Sequence, residues 1–117
     1  LKNTAHIVLS PEVIRYQAGA CTLTPGGGLY ALEAPHSVAI LCAEGMENGR
    51  LLGKELLCDR LDLEWVLDRL PALLPNWSMA CRTPWGDMKF GMLKWLDPAR
   101  EAAWDWSSTA YLGLAFD

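Results

Sequence analysis

The stretch "HSVAILCAEGMENGRLLGKELLC", residues 36–58, constrains what this chain can fold into more than any other. Its first part, "HSVAILCA", is apolar on both alternating faces. That pattern describes a strand covered on both sides, not one lying half in water. Asn48-Gly49 follows, a strong hairpin signal because both residues accept positive φ. "RLLGKELLC" alone suits helix or strand, and its position after the Asn-Gly turn assigns it to the returning strand. The remaining residues must then supply cover for a doubly apolar strand.

Upstream, "TAHIVL" alternates as a strand, with Ala5, Ile7 and Leu9 on one face. In "SPEVIRYQAG", Ser10 can cap, Pro11 suits the first helical position and Gly19 can stop the helix, which predicts a short helix near 11–18. "ACTLTPGGGLYALEA" reads as a hairpin turning at Pro25-Gly26-Gly27-Gly28. That glycine run lacks the following helix and the Lys-Ser/Thr of a phosphate loop. The main helix is predicted over about 59–74. Leu63, Val66, Leu67, Leu70 and Leu74 share helical spacing, Asp59 or Asp62 serves as cap, and Pro71 ends or kinks it. "NWSMACRT" and "MKFGMLKWL" around "PWGD" predict a second hairpin, with Met88, Phe90 and Met92 on one face. "DPAREAA" predicts a short helix near 97–103 after Asp97, and "STAYLGLAF" a final strand.

Together these elements predict an α+β fold: one domain over residues 1–117, with an antiparallel, hairpin-rich sheet packed against the main helix. Such a sheet leaves edges, and the doubly apolar strand wants cover on its second face. A homodimer would answer both demands.

The 117 residues suffice to bury a core without disulfides. The formal charge of −4 is spread without a run of three basic residues. It therefore offers no patch for displacing nucleic-acid counterions, and it suits solubility or a basic partner. No stretch reaches the roughly 20 apolar residues of a membrane span. "LKNTAHIVLS" lacks a signal-peptide layout, so a cytoplasmic location is expected, with Leu1 suggesting that the true start lies upstream. Cys21, Cys42, Cys58 and Cys81 sit apart in apolar segments without CxxC spacing. They read as reduced core residues, while a disulfide between distant strands stays open.

Catalytic patterns are missing from the sequence. His6 and His36 lack clustered ligands for zinc, so no metal or cofactor is expected. Cys42 and His36 on one regular strand would lie roughly 20 Å apart, too far for a nucleophilic dyad. No serine lies in a GxSxG elbow. Among the carboxylates, Glu44 with Glu47 reads as a turn pair and Asp62 with Glu64 as a pair pointing to different sides of a helix. Neither reads as buried, and burial is what tunes a general acid. An enzyme whose site assembles from distant residues remains open.

Six tryptophans stand out, five of them between positions 77 and 106. Trp77 alternates with Met79 and Cys81 as core, and Trp65 is placed to stack on Arg69 one turn on. Trp85 sits at a turn tip beside Asp87, and Trp104 and Trp106 flank Asp105. The Trp104/Trp106 pair suits core or dimer packing. With Trp85, Asp87 and Asp105 it also suits an exposed recognition surface. The expectation is a small acidic, non-enzymatic interaction module that binds a protein partner in an inhibitor, immunity-protein or chaperone-like role. The alternative is a small-molecule binder, in which an aromatic cavity with a carboxylate such as Glu33 or Asp105 holds a cationic apolar ligand.

Overall fold

The computed structural model describes residues 4–6, 8–84, 94–107 and 109–111. Its elements are β1 (Thr4–His6), α1 (Pro11–Thr22), β2 (Gly28–Glu33), β3 (Val38–Met46), β4 (Arg50–Leu57), a 3-10 turn (Arg60–Asp62), α2 (Leu63–Leu73), β5 (Ser78–Cys81), α3 (Pro98–Ala102) and β6 (Thr109–Tyr111). The fold is α+β, with a main sheet ordered β2-β3-β4-β5 and a separate parallel pair, β1 with β6.

The hairpin of β3 and β4 forms as the sequence predicts. Asn48 and Gly49 both adopt positive φ, 60° and 68°, and antiparallel pairing runs from Met46↔Arg50 to Ile40↔Leu57. The ladder slips once. Cys42 faces Glu55 and Ala43 faces Gly53, so Lys54 is an extra residue on β4. A bulge of this kind puts two successive side chains on one face and reverses the alternation beyond it. Leu51 and Gly53 before the bulge and Leu56 after it are accordingly all buried.

The core lies on the face shared by Ala39, Leu41, Ala43 and Leu56, with Cys58 beside them. There α2 inserts Val66 and Leu70. Burying a leucine as fully as Leu56 contributes about 2 kcal/mol by area removed from water. Gly53 is small for a reason: a Cβ there would lie 2.7 Å from Cys81 Sγ. The opposite face carries α1, whose single buried residue, Cys21, meets Cys42.

Several expectations are corrected. Gly19 does not stop α1, which runs on to Thr22; a lone glycine costs a helix only about 1 kcal/mol. "ACTLTPGGGLYALEA" is therefore no hairpin. Its first part is the end of α1, and β2 finds its antiparallel partner in β3. The sheet is mixed, because β5 runs parallel to β4. The chain between them passes through α2, the crossover that parallel neighbours require. Pro71 lies within α2, which continues to Leu73. The "PWGD" turn beyond Pro84, the Met88/Phe90/Met92 face and most of the last strand lie outside the described residues.

Asp62 corrects the sequence reading most sharply, being 1% exposed. It holds the N-cap position of α2 but makes no cap bond. Its carboxylate accepts the His36 N–H at 3.1 and 3.2 Å and the Ser37 hydroxyl at 2.6 Å. Ser37 Oγ accepts in turn from the Asp59 N–H at 3.0 Å. The loop between β2 and β3 is thus fastened to the start of α2 by a carboxylate that is buried because its hydrogen bonds are made. Asp62→Ala is expected to lower unfolding stability by about 3 kcal/mol and Ser37→Ala by about 1–2 kcal/mol. In urea unfolding the double variant should lose less than the sum of the two. Additive losses would mean that the two side chains act independently.

Candidate functional site

Three tryptophan rings meet where α3 hands over to β6. Asp97 caps α3 through the Ala99 N–H at 2.9 Å, and the chain leaves the helix with the Trp104 N–H on Glu101 O at 3.2 Å. Asp105 Oδ1 then accepts from the Ser107 N–H at 2.9 Å and its hydroxyl at 2.6 Å. This is a side-chain-closed turn of the kind aspartate favours. It brings both flanking rings onto Trp95. Trp104 lies 5.4 Å from it at 52°, and Trp106 lies 6.5 Å away at 82°, nearly edge to face. Tilted and edge-on pairs are the favoured aromatic geometries.

Of the predicted site residues, Trp104, Asp105 and Trp106 are therefore brought together, with Trp95 as an anchor the sequence did not single out. The two flanking rings are not set side by side on an extended face, since the segment is a turn. Trp104 is half-buried, Asp105 is exposed and engaged in the turn, and Trp106 is 65% exposed. Leu96, next to Trp95, is 91% exposed. Trp95 Nε1 is buried and has no hydrogen-bond partner among the described residues. Trp85 and Asp87 lie outside the described residues. Elsewhere, Arg69 stacks over Trp65 at 3.8 Å and donates to its carbonyl at 3.2 Å, as its helical spacing predicts.

A second group of chemically able side chains lies between α1 and the sheet. Cys21 Sγ and Cys42 Sγ are 3.4 Å apart, and both residues are buried. Glu55 faces Cys42 across the ladder, and its Oε1 is buried without a partner among the described residues. Lys54 is buried and pairs with the half-buried Glu44 at 2.9 Å. Glu44 thus belongs to β3 and an ion pair, not to a turn. Burial pushes the Cys42 thiol up to about 12, helped by the neighbouring Cys21 and the Glu55 charge. Burial likewise raises Glu55 above the ordinary carboxylate value. The thiols of Cys58 and Cys81 are also raised by burial. Thiols held in this way are poor nucleophiles in the closed structure. The charged "GKE" inside an otherwise apolar strand was the sequence signal for this cluster.

Two apolar clefts flank α2. One, of about 180 Å³, lies over β2 and β3 against Leu70 and Leu73. The other, of about 230 Å³, is lined by Leu67, Leu70, Pro71, Leu74, Trp77, Met79, Cys81 and Thr83. Trp77, Met79 and Cys81 share this face as their alternation predicts. A Cβ on Gly26 would meet the Trp77 ring at 2.6 Å. His36 is exposed, with its backbone N–H bonded to the Asp62 carboxylate. Among the described residues no group of three potential ligands could hold a metal ion. No helix among them is long and apolar enough to cross a membrane. Comparison with known protein families, curated proteins and solved structures gave no match.

Glu55 makes a pH prediction with a definite sign. A carboxyl raised in the folded state holds its proton more tightly there than in the unfolded chain, so stability falls as pH rises through the folded value. Glu55→Gln should therefore be more stable than the native chain at neutral pH, and the difference should close below the ordinary carboxylate range. Identical stability–pH profiles for the two chains would place that carboxyl in water.

Proposed function

We propose that this chain is a small acidic, non-enzymatic interaction module that engages a protein partner through the Trp95–Trp104–Trp106 cluster. The observation that carries this reading is Trp106. Its ring is packed edge-on against Trp95 yet remains 65% exposed. A rigid, largely uncovered indole beside exposed Leu96 matches the composition of binding hot spots, where Trp contributes most. The net charge of −4 suits a partner with basic side chains, whose guanidinium groups stack well on indole. Trp85 and Asp87 join the proposed surface on their turn position in the sequence. The role that fits is that of an inhibitor, immunity protein or chaperone, which acts by occupying a partner rather than by chemistry.

The proposal includes a homodimer. Leu29 and Val38, next to the sheet edge formed by β2, are exposed and apolar, and a second copy would cover them. It also includes a cytoplasmic setting, in which four unpaired cysteines are ordinary. The small-molecule alternative finds its aromatic element in Trp77 and its cleft. The described lining of that cleft carries no carboxylate to hold a cation, which favours the protein-binding reading.

The test is paired. Trp106→Ala, folded by circular dichroism, should lose at least about tenfold in affinity for a partner that the native chain retains, the loss typical of a hot-spot residue. Its fluorescence should also lack the red-shifted, acrylamide-quenchable fraction of the native protein. Unchanged partner affinity with that fraction removed would show Trp106 to be exposed but idle. Light scattering at the same concentration should give the mass of two chains.

A further inference from the structure

We propose that Cys21 and Cys42 form a reversible disulfide that locks α1 onto the sheet under oxidising conditions. The geometry is already close, with Sγ atoms 3.4 Å apart, and Cys21 is the single buried residue of α1. A disulfide needs about 2.05 Å, a closure within reach of side-chain rotation on a loosely held helix.

That looseness is visible in the helix itself. Val13, Ile14 and Tyr16 are exposed, and the hold at its C-terminal end is largely polar. Thr24 Oγ1 donates to Cys21 O and accepts the Gly45 N–H, both at 2.7 Å. An element with so little buried apolar surface is drawn from the low-stability end of a fold and opens first. Opening exposes both sulfurs to water and to a small oxidant, and it relieves the burial that raises the Cys42 thiol. Cys58 lies in the core on the α2 face and Cys81 in the cleft beside it, so neither competes for the bond.

The oxidant is a small disulfide of the glutathione class. One cysteine thiolate attacks it and expels one glutathione thiolate, leaving a mixed disulfide. The second cysteine thiolate attacks the protein sulfur of that adduct and expels the other. The two protons lost by the protein pass to the two glutathione thiols, and two electrons move from the cysteine pair to the oxidant. Closing the loop from 21 to 42 penalises the open state of α1, so the bond switches this face from mobile to fixed.

The experiment treats the native chain with oxidised glutathione under non-denaturing conditions, then alkylates it in denaturant and maps its peptides. The expected product has lost the mass of two hydrogens, carries a Cys21–Cys42 link, and is alkylated at Cys58 and Cys81. Its α1 amides should exchange at least about tenfold more slowly than in the reduced chain, and a thiol reductant should reverse this. C42S should abolish both effects and C58S should leave both intact. Four alkylated cysteines, an adduct that stops at one bound glutathione, or a link involving Cys58 or Cys81 would each overturn the proposal. So would a Cys21–Cys42 link that leaves exchange of α1 unchanged.

Discussion

The extra residue at Lys54 is the constraint on which this structure depends. Without the bulge, the alternation that buries Leu51 and Gly53 would continue through Glu55 and Leu57, placing a carboxylate in the core and Leu56 outside it. With the bulge, Leu56 faces Leu41 across the ladder and joins Val66 and Leu70, while Glu55 faces Cys42 on the other side. The two faces of the sheet consequently differ in kind. One is a conventional apolar layer under α2. The other carries two thiols, a carboxyl with a buried oxygen and a buried lysine under a short helix.

That asymmetry organises the rest. The α2 side is fixed by packing and by Asp62, whose carboxylate ties the β2–β3 loop to the helix start. Such a side supplies rigidity and little chemistry. The α1 side has few apolar contacts and several groups whose protonation or oxidation state affects them, so condition-dependent behaviour concentrates there. The tryptophan cluster is built by separate means, with the Asp105 turn folding two rings onto Trp95.

Much of the fold was legible in the sequence. Asn48-Gly49, the Ser10-Pro11 start, the leucine spacing of α2 and the Asp97 cap each carry a local rule with one outcome. The errors came where tertiary contacts override local signals. Gly19 failed to stop α1 because the helix goes on to deliver Cys21 to the sheet. The direction of β5 depends on where the α2 crossover returns the chain, which no local residue encodes. The burial of Asp62 required knowing that His36 and Ser37, a loop away in sequence, would satisfy it. Of the site, Trp104, Asp105 and Trp106 were visible as composition. Trp95 as their anchor was not, since the turn that brings them together is closed by a single side chain. The Cys21–Cys42 contact joins two elements whose pairing only the folded topology defines.

Deletion of Lys54 distinguishes a bulged β4 from a regular one. Removal of one residue from a regular core strand reverses every side chain beyond it and should abolish cooperative folding. Removal of the bulged residue instead leaves Gly53 and Leu56 two positions apart on the same face. The Lys54-deleted chain should unfold cooperatively in urea, with stability lowered by about 1–3 kcal/mol, in the ordinary range for a local change. The Leu52-deleted chain, tested beside it, should not fold. Loss of cooperative unfolding in both deletions alike would contradict the claim that a bulge at this position sets the two faces of the sheet.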